Sequence, residues 1–160
     1  MRFSTGLLLL ASLAFSEACR STPVNPTTVA TGFVAALNSK DVGAMSKLST
    51  TPFRYRNQDW ESAADGSGFV RGKSTERVAT NLDDLQAMLR DIASRVAVDD
   101  PAAVTNPPSK AELMKAMLGG GPEWANLDLV VFKRGEGDVE HVAIIGVDGG
   151  SGKVTGLYIN

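Results

Sequence analysis

Three side chains in this sequence are of types that move protons in enzymes. His141 is the sole histidine of the chain, and Tyr55 and Asp59 lie close together in a segment that ends in Trp60. An imidazole titrates near neutral pH, a neutral phenol can stabilise a developing oxyanion, and a carboxylate can abstract a carbon-bound proton. His141, Tyr55 and Asp59 are therefore the catalytic candidates, and proton transfer is the chemistry they would perform.

Each candidate also has a purely structural interpretation. His141 is predicted on the apolar face of a strand, where a hydrogen-bonded histidine near the strand end is a common structural feature. Asp59 lies in the turn-like segment 57–59, which favours a solvated carboxylate. Catalysis needs a partner group, and the sequence shows none, so we favour the structural interpretation of these residues.

The same region could instead line a ligand pocket. The expected lining consists of aromatic and aliphatic side chains from the predicted strands, together with the histidine: Phe53, Tyr55, Trp60, Val131 and His141. A ligand-binding chain should have a cavity of roughly 300 Å³ or more at these residues. If side chains fill that space, ligand binding is excluded and binding of a protein partner remains.

Nothing in the sequence has the spacing of a cofactor or metal site, and we expect neither group. Segment 148–153 (DGGSGK) has the composition of a phosphate-binding loop, but Val154 stands where such a loop requires Ser or Thr. The acidic pairs at 83–84 and 99–100 lack the interleaved ligand spacing of a calcium loop, and no Cys/His set exists for zinc.

The first residues predict an export signal. A positively charged start precedes an apolar run at 6–15 that is too short to span a bilayer. Ala18, a small residue, then precedes Cys19. We therefore expect a signal peptide over 1–18, a flexible tether over 19–26, and a protein exported to the bacterial periplasm or cell envelope.

Cys19 is the only cysteine, so the chain can form no internal disulfide. Its position after the predicted cleavage is similar to that of the lipidated cysteine of bacterial lipoproteins, although Ser16 and Glu17 depart from the usual residues. Lipidation would provide a membrane tether, since each buried methylene contributes about 0.8 kcal/mol. A free thiol at the mature N terminus is the alternative.

Composition is that of one globular domain, predicted over 27–160. Hydrophobic residues make up 43% and charged residues 21% of the chain, which is too apolar for a disordered protein. The formal net charge is -2 and no basic cluster is present, which argues against nucleic acid as a partner.

Apolar spacing predicts four helices. An apolar stripe that includes Phe33 predicts a first helix capped by Thr27 or Thr28, and Asp41 is predicted to cap a short second helix. A long helix should begin at Asn81, or as early as 74, with Leu82, Leu85, Leu89, Ile92 and Val96 on its buried face. Ser109 with Glu112 has the capping-box spacing of a fourth helix.

Strands are predicted in the middle and at the end of the chain. The alternation around Phe53 and Tyr55 predicts a short strand that ends in a turn at 57–59, and 69–71 predicts another. Three longer runs, separated by glycine-rich turns, predict an antiparallel meander whose middle strand is covered on both faces: 127–134, 139–147 and 153–159. The expected fold class is α+β, with helices packed on one side of a curved, mostly antiparallel sheet.

Three segments of this layout resemble the nuclear transport factor 2-like superfamily, which includes the SnoaL-like polyketide cyclases. They are FVAALNSKDVGAMSKLSTTPFRY at 33–55, FVRGKSTERVATNLDDL at 69–85 and GKVTGLYI at 152–159. The resemblance implies a cone in which a bent sheet wraps around helices and leaves a pocket. Members include isomerases, cyclases, dehydratases, ligand binders and interaction domains, so this fold predicts a cavity better than it predicts chemistry.

Three functional hypotheses follow. The first is an exported, non-catalytic domain that binds a small apolar ligand or an envelope protein. The second is a proton-transfer isomerase, cyclase or dehydratase that uses His141, Tyr55 or Asp59, and it requires at least two of these side chains to converge. The third is a dimerisation or scaffold module, with a homodimer as the expected assembly.

Overall fold

The computed structural model describes residues 24–135 and 141–160. The predicted signal peptide, Cys19 and most of the predicted tether lie outside these ranges. The described residues form five helices and five strands: α1 Pro26–Asn38, α2 Val42–Leu48, β1 Ser49–Ser62, β2 Phe69–Ala79, α3 Leu82–Arg95, α4 Lys110–Ala116, α5 Pro122–Ala125, β3 Leu127–Arg134, β4 His141–Asp148 and β5 Lys153–Ile159.

All five strands form one mixed sheet in the order β2-β1-β5-β4-β3. β3, β4 and β5 form the predicted antiparallel meander, and β1 pairs with β2 as an antiparallel hairpin. β1 and β5 are neighbours that run parallel, with Tyr55 opposite Leu157 and Asn57 opposite Ile159. The predicted α+β class with a mostly antiparallel sheet is therefore confirmed.

Helices α1, α2 and α3 cover one face of the sheet. Phe33 of α1 stacks on Phe53 of β1, with ring centroids 6.2 Å apart. The predicted stripe of α3 is buried from Leu85 onward, but Leu82 is 59% exposed because it lies in the first turn, beyond the sheet. Most of the buried apolar side chains in the described ranges belong to this first core.

A second, smaller core lies on the opposite face, so the prediction that helices pack on one side only is wrong. α4, α5 and the segment between them bring Leu113, Leu118 and Trp124 against the outer face of the meander. Trp124 rests on Gly156, where a Cβ atom would lie 2.6 Å from its ring, so this close approach requires glycine. β4 is buried on both faces, as predicted for the middle strand.

Three of the four predicted helix N-caps are confirmed. Asp41, Asn81 and Ser109 each accept a backbone hydrogen bond at the start of their helix, and Ser109 with Glu112 forms the predicted capping box. The cap of α1 is Asn25 instead of Thr27 or Thr28. Its side chain accepts from the backbone N–H of both threonines because α1 already begins at the intervening proline.

The hairpin of β1 and β2 is much longer than predicted. β1 continues through 57–59, so the predicted turn there is wrong, and the chain reverses after Ser62 instead. The polar segment contains an irregularity, because the register with β2 shifts between Gln58 and Trp60. β2 then continues past position 74, so an early start of α3 is also wrong. A bulge and a turn favour the same polar residues, which explains the error.

Candidate functional site

An open cleft of about 550 Å³ lies where the ends of several elements meet beside the first core. We call it the arginine cleft. It is lined by residues of β1, the end of α3, the segment after α3, and the ends of the meander strands: Tyr55, Asn57, Arg95, Val96, Ala97, Asp99, Arg134, Gly135, His141, Ile159 and Asn160. Both polar and apolar groups line this cleft, and two arginines face one aspartate.

Sheet topology explains why these residues meet. The parallel pairing of β1 with β5 places Asn57 beside Ile159, and the antiparallel pairing of β4 with β5 places Ala143 beside Ile159. Arg134, at the end of β3, lies opposite His141, at the start of β4. The cleft is therefore built from adjoining ends of β3, β4 and β5 and from the middle of β1.

Arg134 is held in the wall of the cleft by backbone carbonyls. Its Nε donates to the Ala97 carbonyl at 3.0 Å, and its Nη1 donates to the Asn160 carbonyl at 2.9 Å. Burial lowers the pKa of Arg134, while Tyr55 and Asp99 oppose that shift. An arginine nevertheless stays charged in proteins, so the cleft contains a half-buried guanidinium of fixed orientation.

The segment that follows α3 is also fixed from both sides. The Asn38 side chain donates to the Val98 carbonyl at 2.7 Å and accepts from the Val98 N–H at 2.9 Å. The Asp99 carboxylate accepts from the Gly135 N–H. The floor of the cleft at 96–99 is therefore joined both to the last turn of α1 and to the end of β3.

Tyr55 reaches the cleft from the first core and is only 5% exposed. Burial raises the pKa of its phenol above the ordinary 10.0, and Asp91 acts in the same direction, whereas Arg95, Arg134 and Arg77 oppose. The phenol is therefore neutral at physiological pH. A neutral phenol beside two guanidinium groups can donate a hydrogen bond to an oxygen atom of a bound anion.

An ion-pair network lies beside the cleft. The Asp91 carboxylate of α3 accepts from Arg77 of β2 and from Arg95 of its own helix. The hydrogen bond from Arg77 is the largest contribution that holds the pKa of Asp91 below its ordinary value, and Arg95 adds to it. Asp91 thereby links the hairpin to α3, and it offsets only part of the positive charge around the cleft.

A second hollow, of about 440 Å³, adjoins the arginine cleft. We call it the tryptophan hollow. It is lined by the bulge of β1, the start of β2 and two residues shared with the cleft: Gln58, Asp59, Trp60, Phe69, His141 and Asn160. Asp59 accepts a hydrogen bond from the Asn57 side chain at 2.9 Å. Gln58 is buried and donates to the carbonyl oxygens of Asp59 and Gly72.

The structure brings together some of the residues that the sequence nominates. Tyr55 and His141 line the arginine cleft, and His141 also lines the tryptophan hollow with Asp59 and Trp60. Among residues 24–135 and 141–160, His141 forms no hydrogen bond with Tyr55 or Asp59. The candidates therefore share a site without forming a connected catalytic pair.

Two predicted lining residues lie elsewhere. Phe53 is fully buried in the first core against Phe33. Val131 belongs to the second core on the opposite face of the sheet, because strand side chains alternate and its neighbours Val130 and Phe132 face the first core. A cavity larger than the expected minimum is present at Tyr55 and His141, but Phe53 and Val131 do not line it.

Sequence reasoning missed the polar residues that give the cleft its character. Arg134, Asn57 and Asn160 lie far apart in the chain and match no motif. A polar residue that ends an apolar strand was the one available signal for Arg134 and Asn160. Within the described ranges no cluster of three or more His, Cys, Asp or Glu side chains could hold a metal ion. No helix found there has the length and apolar character of a membrane span.

The described chain is thus an α+β domain with a polar cleft at one end of its sheet. No protein-family model matches it, and no curated protein matches it. Among solved structures it is similar to an NTF2-like protein of unknown function from Cytophaga hutchinsonii, with 12% sequence identity and a TM-score of 0.43. The match covers 87% of this chain and 91% of the other. Nothing about the site follows from that similarity.

Proposed function

We propose that this protein is an exported, non-catalytic domain that binds a small molecule with one anionic group and a compact apolar body. The observation that supports it is the half-buried Arg134 guanidinium, which two backbone carbonyls orient in the arginine cleft. Within the described residues Arg134 forms no salt bridge. A carboxylate in the cleft would compensate that charge, and a planar guanidinium suits a carboxylate well.

The rest of the cleft suits the same ligand. Asn57 and the Tyr55 phenol offer hydrogen bonds to an anionic head, and Val96 and Ile159 offer apolar surface to the body. The polar half of the lining changes the expected ligand from purely apolar to amphipathic.

Binding can be tested with benzoate as the probe and benzamide as its uncharged control of the same shape. His141 is the single histidine and lines the cleft, so its ring resonances report binding at this site in an NMR titration. We expect benzoate to shift them in a saturable way and benzamide to bind at least about tenfold more weakly, a difference of about 1.4 kcal/mol. Equal affinities for both compounds would contradict an anionic ligand.

Two variants connect binding to the cleft. Tyr55→Phe removes the hydroxyl while keeping the ring in the core, so we expect weaker benzoate binding without loss of folding. Arg134→Met removes the charge, and we expect benzoate and benzamide to bind alike. Because Arg134 also joins two segments, circular dichroism must show that this variant is folded, and Tyr55→Phe provides the test if it is not.

Export and anchoring are part of the proposal and rest on the sequence of the first nineteen residues. We propose cleavage before Cys19, with the mature chain in the periplasm or cell envelope. Mass spectrometry of the mature N terminus distinguishes a lipidated Cys19 from a free thiol. An intact N terminus on a cytosolic protein would contradict export.

The isomerase alternative retains one supporting observation, which is that Tyr55 and His141 line the same cleft. A general base must be oriented by a partner, and no such hydrogen bond to His141 exists among the described residues. If the protein is an isomerase, His141→Gln should abolish turnover of a ketone substrate in a chain that circular dichroism shows to be folded. Without turnover in the native chain, only the binding role remains.

A further inference from the structure

The tryptophan hollow directly continues the arginine cleft, and together they suggest the shape of the ligand. His141 and Asn160 line both spaces. The cleft contains the two arginines, whereas the hollow contains Trp60 and Phe69. Positive charge at one end and aromatic side chains at the other match a molecule that is anionic at one end only.

Phe69 is the second observation. It starts β2 opposite Ser62 at the tip of the hairpin, and it is 54% exposed. Exposed aromatic surface is unfavourable in water, and a ligand that covers it regains the hydrophobic contribution. An aromatic ligand adds ring-to-ring attraction to that contribution.

Trp60 lines the same hollow, so its ring offers the body of a ligand a second aromatic surface beside Phe69.

We propose that the ligand is an elongated aromatic carboxylate whose anionic group binds at Arg134 and whose planar body extends past His141 into the tryptophan hollow. This inference rests on the proposed function, because it requires the carboxylate site in the arginine cleft. It adds the class of ligand, since a single-ring carboxylate bound at Arg134 would not reach Phe69.

The test compares benzoate with biphenyl-4-carboxylate, which carries the same head on a body one ring longer. We expect the native chain to bind the longer probe at least about tenfold more tightly. Phe69→Ala should remove most of that advantage and leave benzoate affinity unchanged. Val70→Ala is the matched control, because Val70 is also exposed but does not line the hollow.

Trp60 and Trp124 are the two tryptophans of the chain, and they provide a second readout. Biphenyl-4-carboxylate should shift the indole N–H resonance of Trp60 and leave that of Trp124, in the second core, unchanged. If benzoate binds but the longer probe gains nothing, or if its gain survives Phe69→Ala, the extension is wrong and the proposed function stands. If neither probe binds, the proposed function itself is wrong.

Discussion

Asn38 makes the contact whose loss gives the clearest test of how the cleft is held. Its side chain joins the last turn of α1 to Val98 through two hydrogen bonds, of 2.7 and 2.9 Å. Val98 is 1% exposed, so both of its backbone groups depend on this amide. Asn38→Ala should leave them unpaired.

The magnitude follows from the two bonds. A buried backbone group left unpaired costs about 1–3 kcal/mol, so the variant should lower the free energy of unfolding by about 2–6 kcal/mol. Alanine favours a helical turn by up to about 0.7 kcal/mol over asparagine, so the measured loss slightly understates the contact. With a urea m value of about 2 kcal/mol/M, the midpoint should fall by about 1–3 M.

Two further variants make the test specific. Ser39→Ala removes a neighbouring hydroxyl that bonds only to carbonyls of its own helix, and its effect should stay within about 0.5 kcal/mol. Asn38→Asp places a carboxylate oxygen against the Val98 carbonyl and should destabilise at least as much as alanine. A neutral Asn38→Asp, or equal urea unfolding of Asn38→Ala and Ser39→Ala, would contradict this role of Asn38.

Three other perturbations have defined outcomes. Gly156→Ala should destabilise the fold by about 1–3 kcal/mol in thermal unfolding, because the new Cβ atom would overpack against the fully buried Trp124. Gly150→Ala is the control and should be close to neutral, because its Cβ atom would make only ordinary contacts. Arg77 and Arg95 hold the pKa of Asp91 below its ordinary 3.8, so its contribution to stability is present above that pH and is lost as the pH falls through the lower folded value. Asp91→Asn should therefore flatten the loss of stability below pH 3.8, and an unchanged acid profile would contradict this assignment. Burial raises the pKa of both tyrosines above 10.0. Tyrosinate absorbance at 295 nm should therefore rise at a higher pH in the folded chain than in the urea-unfolded chain, and the free energy of unfolding should fall as the pH passes 10.0. Coincident titration curves would contradict the burial of the two phenols.

Local signals predicted much of this fold because their physical causes are local. The caps at Asp41, Asn81 and Ser109 each satisfy backbone donors within three residues, so the pattern is visible in a short window. The meander strands alternate or stay apolar because they are buried, and glycine-rich turns separate them. The bounds of β3 and β5 agree with the predicted runs for this reason.

The hairpin was underestimated because its second strand is an exposed edge. Eight of the eleven residues of β2 are exposed, so no apolar alternation marks it as a strand. Its stability derives from pairing with β1, a long-range property that a single-strand pattern does not contain. The bulge near Gln58 adds polar residues in mid-strand, where a sequence pattern favours a turn.

The candidate site could be predicted only in part, for a topological reason. Tyr55 and His141 stand out by residue type, and the sheet brings both to one cleft. Arg134 and Asn160 meet across β4, which pairs with both β3 and β5, whereas Tyr55 joins them only because β5 pairs with the distant β1. Residue type identifies candidates, but the strand order decides which of them share a cleft.

The two-sided cover of the sheet also bears on the dimerisation hypothesis. α4 and α5 pack Trp124 and its neighbours against the outer face of the meander, so a second copy cannot use that face without displacing them. The exposed large apolar side chains that remain include Phe69, Val70 and Val78 of β2 and Leu82 of α3. Three of these side chains lie on the hairpin, where a homodimer would cover Phe69 and compete with an elongated ligand. Light scattering with and without biphenyl-4-carboxylate distinguishes a homodimer from a ligand at the hairpin. Loss of the dimer on adding the ligand would show that the second copy and the ligand both bind the hairpin. A monomer at all protein concentrations would contradict the dimerisation hypothesis.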